Sequence, residues 1–267
     1  MEIFGESVFF LSFFFGTLWG SFLNVCIYRI PLEQNIAFPA SRCTHCDHSI
    51  AWYDNIPLIS WGLLLRGKCR HCQASISAIY PFVEAMTGLL TLQVVMVFGY
   101  SLESIALLVL GYAFIVLLMI DLYHYILPDV ITLPGMLLGV ILAALPQVSA
   151  PLASLPDSLL GLAVGGGGLW AFAWIFEKIT GKVGMGFGDV KLLGLVGAWL
   201  GWQALPFTLF FAALMGSVVG LSWIGLLGRD RAKPIPFGPY LVLAAWFYLF
   251  VGESVYSWYL STAYPGY

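Results

Sequence analysis

Ser104-Ile105-Ala106-Leu107-Leu108-Val109-Leu110-Gly111-Tyr112-Ala113-Phe114-Ile115-Val116-Leu117-Leu118-Met119-Ile120-Asp121 is the stretch whose reading decides the fold. It is apolar around the whole circumference of any helix drawn through it, nears the roughly 20 residues that cross a bilayer core, and stops on a carboxylate. Comparable runs occupy residues 8–27, 81–98, 130–145, 158–176 and 237–256. Residues 190–227 form one further stretch, about twice as long as a single span needs. Gly201, Trp202, Gln203 and Pro206 interrupt it, which predicts two helices there and about eight transmembrane helices in all.

Composition agrees with an all-α polytopic membrane protein. Hydrophobic residues make up 60% of the chain and charged residues 9%, and the mean hydropathy is +0.91. Such a chain cannot assemble a water-facing surface and takes the lipid bilayer as its main solvent. Nothing in it points to nucleic acid. The eleven Lys and Arg residues fall within residues 29–70, 178–191 and 229–233. With eight spans all three groups lie on one side, and basic connections mark the cytoplasmic side of a membrane. Both termini are then expected outside. The first apolar run follows Glu2 and Glu6 rather than basic residues, the mark of a retained anchor rather than a cleaved signal. The expected organisation is a first helix in residues 1–30, a polar cytoplasmic insertion in residues 31–80, and a seven-helix membrane domain in residues 81–267.

Within the insertion stand Cys43-Thr44-His45-Cys46 and Cys69-Arg70-His71-Cys72. Two C-x-x-C pairs at this separation have the spacing of a zinc ribbon. Four thiolates close the coordination shell, so the expected zinc is structural and replaces a core that a short polar segment cannot build. A reducing cytosol disfavours the alternative of two disulfides. Arg42, Lys68 and Arg70 would offset the charge of the thiolates, and Cys26 reads as a packing residue inside the first span.

Asp121 ends one apolar run and Asp189 begins another, both at the cytoplasmic boundary. Two carboxylates held together share a proton because both cannot ionise cheaply, which leaves one base and one acid for hydrolysis by water. Gly186 and Gly188 precede Asp189 in Gly184-Met185-Gly186-Phe187-Gly188-Asp189 and permit close approach of a substrate backbone. Read from spacing alone, Asp189 serves equally as a helix cap. Asp129, after Pro128, is expected to cap the fourth span. Asp54 and Glu33 are expected to face water. Glu84, about one turn into the second span, is costly there and suggests pairing, substrate contact or a second activity. Gly165 to Gly168, inside a span, read as helix packing or a kink.

These residues resemble the type IV prepilin peptidase family, bifunctional leader peptidases and N-methyltransferases with a GxGD aspartyl protease motif. The resemblance runs through Gly20-Ser21-Phe22-Leu23-Asn24-Val25, Arg29 and Pro31, and the cysteine pairs around Trp52-Tyr53-Asp54-Asn55-Ile56-Pro57. It continues in Leu65-Arg66-Gly67-Lys68-Cys69, Tyr80-Pro81-Phe82-Val83-Glu84, Ile120-Asp121 with Leu127-Pro128-Asp129, and Gly184 to Lys191. It implies that Asp121 and Asp189 form the catalytic dyad. The implied substrates are prepilins of type IV pili or pseudopilins of type II secretion, cut between a basic leader and an apolar helix at the cytoplasmic membrane face. It also implies N-methylation with S-adenosylmethionine. Alternative readings of the same residues are a protease that cuts inside transmembrane helices and a proton-coupled transporter. No functional residue beyond Lys191 is implied.

Overall fold

Each apolar run becomes a helix, and no strand forms among the described residues, which are 2–181, 186–227 and 235–263 of a computed structural model. The eight helices there are α1 (Glu2–Arg29), α2 (Ile79–Phe98), α3 (Leu102–His124), α4 (Asp129–Ala143), α5 (Leu155–Thr180), α6 (Phe187–Leu200), α7 (Ala204–Leu227) and α8 (Gly238–Ala263). Four of the five that are long and apolar enough to cross a membrane are α1, α2, α3 and α5; the fifth is the Ala204–Trp223 part of α7. The chain is therefore a polytopic membrane protein.

Against the eight spans expected, five of the eight helices are long and apolar enough to cross a membrane, and α4, α6 and α8 fall short in length or apolar extent. Helix α6 has 14 residues, which is about 21 Å of rise against a hydrocarbon core of roughly 30 Å. Helix α4 is similarly short at 15 residues, with Pro134 inside it. The apolar part of α8 covers Gly238–Gly252. The long run splits where expected: α6 stops at Leu200, Gly201 takes φ of 81°, and its N–H donates to the Gly197 carbonyl. The Gly184-Met185 part of the glycine motif and the basic connection at 229–233 lie outside the described residues.

Two compact units divide the chain, Met1–Ile120 and Asp121–Tyr267. In the first, α1 and α2 pack through small residues. A Cβ added to Gly20 would stand 2.7 Å from the Glu84 Cα, and one added to Gly88 would stand 2.8 Å from the Thr17 Cγ2. With no hydrophobic drive between helices in lipid, such backbone-close contacts supply the dispersion that holds them. The Asn24 Nδ2 crosses the pair and donates to the Tyr80 carbonyl at 3.1 Å. Cys26 is buried, as a packing residue should be.

In the second unit α6 is the axis. Every residue from Leu192 to Leu200 is buried, so the shortest apolar helix is wrapped by protein. Its Gly197 meets the backbone of Gly161 on α5, and a Cβ on Gly165 would lie 2.6 Å from the Leu193 carbonyl oxygen. Residues Ala163–Gly168 form a π-helical turn inside α5, so the glycine quartet both packs and distorts its helix. On the other flank a Cβ on Gly139 of α4 would lie 2.6 Å from Trp199 Cδ1, and Trp199 Nε1 donates to the Gly135 carbonyl at 2.8 Å. Glycine contacts on both sides hold α6, and α6 presents Asp189 at its first turn.

Candidate active site

Asp121 lies on the last turn of α3 and is 6% exposed. Its Oδ2 accepts a buried hydrogen bond from the Gly238 N–H at 3.1 Å, at the first residue of α8. Leu127 closes the space beside them: a Cβ on Gly238 would lie 3.4 Å from Leu127 Cδ1, and one on Gly188 would lie 3.2 Å from the same atom. Asp189 follows Gly188 on α6, half-buried, and the charge of Asp121 acts on it. The structure thus gathers Asp121, Asp189, Gly188 and Gly238 at one end of the second unit. Gly186 borders the same place, since a Cβ there would meet Asp189 Oδ2 at 3.5 Å.

Asp189 does not cap its helix. The N-cap of α6 is Gly186, with no side-chain hydrogen bond to the free amides, which leaves the carboxylate for other work. The expectation for Asp129 needs correction. Pro128 is the N-cap of α4 and Asp129 the first helical residue, without a capping bond. Its exposed carboxylate pairs instead with Lys191, one turn along α6 from Phe187. Among the described residues Asp121 and Asp189 have no such cation. Gly238 is the site residue that the sequence did not disclose; a backbone donor leaves no side-chain signature, and only the Phe237-Gly238-Pro239 turn before an apolar run hinted at a helix start.

Glu84 is buried and paired. Its Oε2 accepts the Leu58 N–H at 2.8 Å, and its Cα lies against Gly20 of α1. Leu58 has φ of 61° and the Ile59 N–H reaches the Pro57 carbonyl at 2.6 Å, a γ-turn that costs strain for a non-glycine residue. Glu84 thus ties a strained turn of the insertion to α1 and α2. Of the three roles its position suggested, pairing is the one visible.

The four cysteine sulfurs Cys43, Cys46, Cys69 and Cys72 lie within 4.8 Å of one another, and the Cys43 and Cys72 sulfurs are 3.8 Å apart. A tetrahedron with metal–sulfur bonds of about 2.3 Å has edges of about 3.8 Å, so the four can hold a metal ion. Two matching knuckles present them. Cys43 N–H donates to the His48 carbonyl and Asp47 N–H to the Cys43 carbonyl; Cys69 N–H donates to Ala74 and Gln73 N–H to Cys69 in the same pattern. Short antiparallel bridges, Arg42 to Ser49 and Lys68 to Ser75, close each knuckle. Backbone N–H groups of Cys72 and His71 point at the Cys69 sulfur and draw its thiol below the usual range. Two expectations change here. Asp54 does not face water but accepts two hydrogen bonds from Arg70, at 2.6 and 2.9 Å, and Arg70 is thereby committed to Asp54 rather than to the thiolates.

Residues 14–98 match the bacterial peptidase A24 N-terminal domain, and residues 108–221 match the type IV leader peptidase family. A Stutzerimonas stutzeri protein named prepilin leader peptidase/N-methyltransferase is 42% identical, over 93% of this chain and 92% of its own length. The Aeromonas hydrophila protein of that name is 42% identical over 94% and 93%, and the Pseudomonas aeruginosa one 39% identical over 93% and 92%. No solved structure matches the chain.

Proposed function

The chain belongs to the type IV leader peptidase family, and on that premise we propose that Asp121 and Asp189 are its catalytic dyad, cutting the basic leader from prepilins or pseudopilins. The observation that carries the assignment is that these two carboxylates lie within one unit, that the charge of Asp121 acts on Asp189, and that neither is paired with a cation among the described residues. A shared proton then makes one aspartate the base that activates water and the other the acid that polarises the scissile carbonyl. Gly186 and Gly188 leave backbone room for the substrate beside them. A basic leader stays in the cytosol while the apolar helix that follows it lies in lipid, so the scissile bond comes to the helix ends where the dyad sits. On this reading the site works at the cytoplasmic face of the inner membrane.

Zinc is the metal that suits the four-cysteine knuckle, because the thiolates fill a tetrahedral shell and leave no position for substrate. Its role is to hold the insertion together. The name of the relatives extends to N-methyl transfer, and we propose the same second activity here, with S-adenosylmethionine as methyl donor. The Gly165–Gly168 quartet is not its cradle, since those glycines are helical and Gly165 packs on Leu193.

The test is co-expression with a prepilin carrying a basic leader, followed by the product mass for wild type, Asp121→Asn and Asp189→Asn. Cleavage shows as loss of the leader and methylation as one added methyl group. Processing that survives both substitutions would end the assignment.

A further inference from the structure

The two aspartates of the proposed dyad are alike in sequence but unlike in surroundings. Asp121 receives the Gly238 N–H at 3.1 Å in a buried setting. Gly238 is the first residue of α8, so this amide is one of the donors that a helix leaves unpaired at its start, where the partial charge is positive. The approach depends on glycine. A Cβ at position 238 would stand 2.5 Å from Asp121 Oδ2 and 3.2 Å from its Cγ, closer than real side chains come. Asp189 has no hydrogen bond to its carboxylate among the described residues, and the one charge acting on it is that of Asp121. The neighbouring cation, Lys191, is paired with Asp129.

An amide that donates to a carboxylate oxygen stabilises the ionised form far more than the neutral one. A half-buried carboxyl beside an anion, with no donor of its own, keeps its proton. We propose that the dyad has a fixed polarity, Asp121 ionised and Asp189 protonated, and that Gly238 is the positioning residue that sets it. The proposal rests on the reading of the two aspartates as a catalytic pair. In the forward step Asp121 takes a proton from water as the water oxygen bonds to the scissile carbon, and Asp189 gives its proton to the carbonyl oxygen. The tetrahedral diol then collapses. The C–N bond breaks, the amine nitrogen takes the proton held by Asp121, and a diol O–H returns a proton to Asp189, so both residues end as they began.

The protonated member can be identified on the full-length wild-type protein in detergent with a lipophilic diazo ester. A carboxylic acid protonates the diazo carbon, nitrogen gas leaves and the carboxylate oxygen forms an ester, so the reagent marks the acid and not the anion. The expected result is an ester on Asp189 at least tenfold in excess of Asp121 by peptide mass mapping. An excess on Asp121, or no ester on either, overturns the proposal. In Gly238→Ala the added methyl displaces the amide, the label should spread toward both aspartates, and the acid limb of the cleavage profile should move up by about one pH unit, tenfold in proton affinity. An unchanged label and profile in that variant removes Gly238 from the account. If Asp121→Asn and Asp189→Asn both keep cleaving, the catalytic reading fails, and that outcome is read separately from where the label lands.

Discussion

Replacing Gly197 by alanine should damage both stability and catalysis, although Gly197 is eight residues from Asp189 and touches no substrate. The two lie on one short helix, about 12 Å apart at 1.5 Å per residue. A Cβ at Gly197 would fall within bonding-like range of the Gly161 carbonyl and 3.0 Å from its Cα, backbone atoms that no rotamer change can move. Relief requires α5 and α6 to separate by roughly 1 Å. Overpacking of this kind costs about 1–3 kcal/mol, against a gain of up to about 1 kcal/mol from replacing glycine within a helix. The net is a loss of up to about 3 kcal/mol. Because α6 carries Asp189, a shift near 1 Å at the dyad should lower cleavage by as much as ~100-fold. Gly166→Ala is the control: its Cβ would meet only the Gly194 Cα, at an ordinary 3.7 Å. The measurements are thermal inactivation in detergent and prepilin cleavage for the three proteins. Gly197→Ala behaving like Gly166→Ala in both would refute the claim that backbone contact with α5 positions the site.

Other outcomes follow from the same geometry. Asp121→Asn and Asp189→Asn should each bring cleavage to near background with the double variant scarcely worse, because groups acting as one unit lose their effect together; Asp129→Asn should cost at most ~1 kcal/mol, the scale of an exposed ion pair, and leave cleavage measurable. One zinc per chain should be found by metal analysis, and replacing Cys69 and Cys72 by serine should release it and make the insertion protease-sensitive while part of the activity remains. Arg70 beside Asp54 holds its carboxyl below the usual carboxylate range, so their pairing is fully present above about pH 4 and is lost as pH falls toward that lowered value. Resistance of the insertion to trypsin should therefore exceed that of Asp54→Asn at neutral pH, with the difference vanishing in acid; a difference that grows in acid would contradict the pairing.

Several of these features were legible in the residues themselves, and the reasons are local. An apolar run of bilayer length has no other stable solvent, so the helices could be counted from residues 104–120 and their counterparts. Two C-x-x-C pairs specify a metal knuckle because ligand number and spacing are written in sequence. A carboxylate at the end of an apolar run is costly, which marked Asp121 and Asp189 as candidates, while spacing alone left Asp189 equally a helix cap and the resemblance joined the two. Gly201 and Gln203 marked the break between α6 and α7 for the same local reason, conformational freedom and polarity inside an apolar stretch.

What only the tertiary structure decided depends on partners distant along the chain. Lys191 reaches Asp129 across 62 positions, which turned an expected cap into an ion pair. Arg70 reaches Asp54 across 16 positions, and Leu58 reaches Glu84 across 26. Gly238 reaches Asp121 across 117 positions through a backbone amide, a group that every residue but proline carries and that sequence therefore cannot distinguish. The burial of α6 belongs here too: Leu192 to Leu200 carry no charged residue that would tell a protein-facing from a lipid-facing helix, and their burial follows from glycines on α4 and α5 that admit them. Composition sets which segments leave water; the packing of backbones and the satisfaction of buried polar groups set which of them meet.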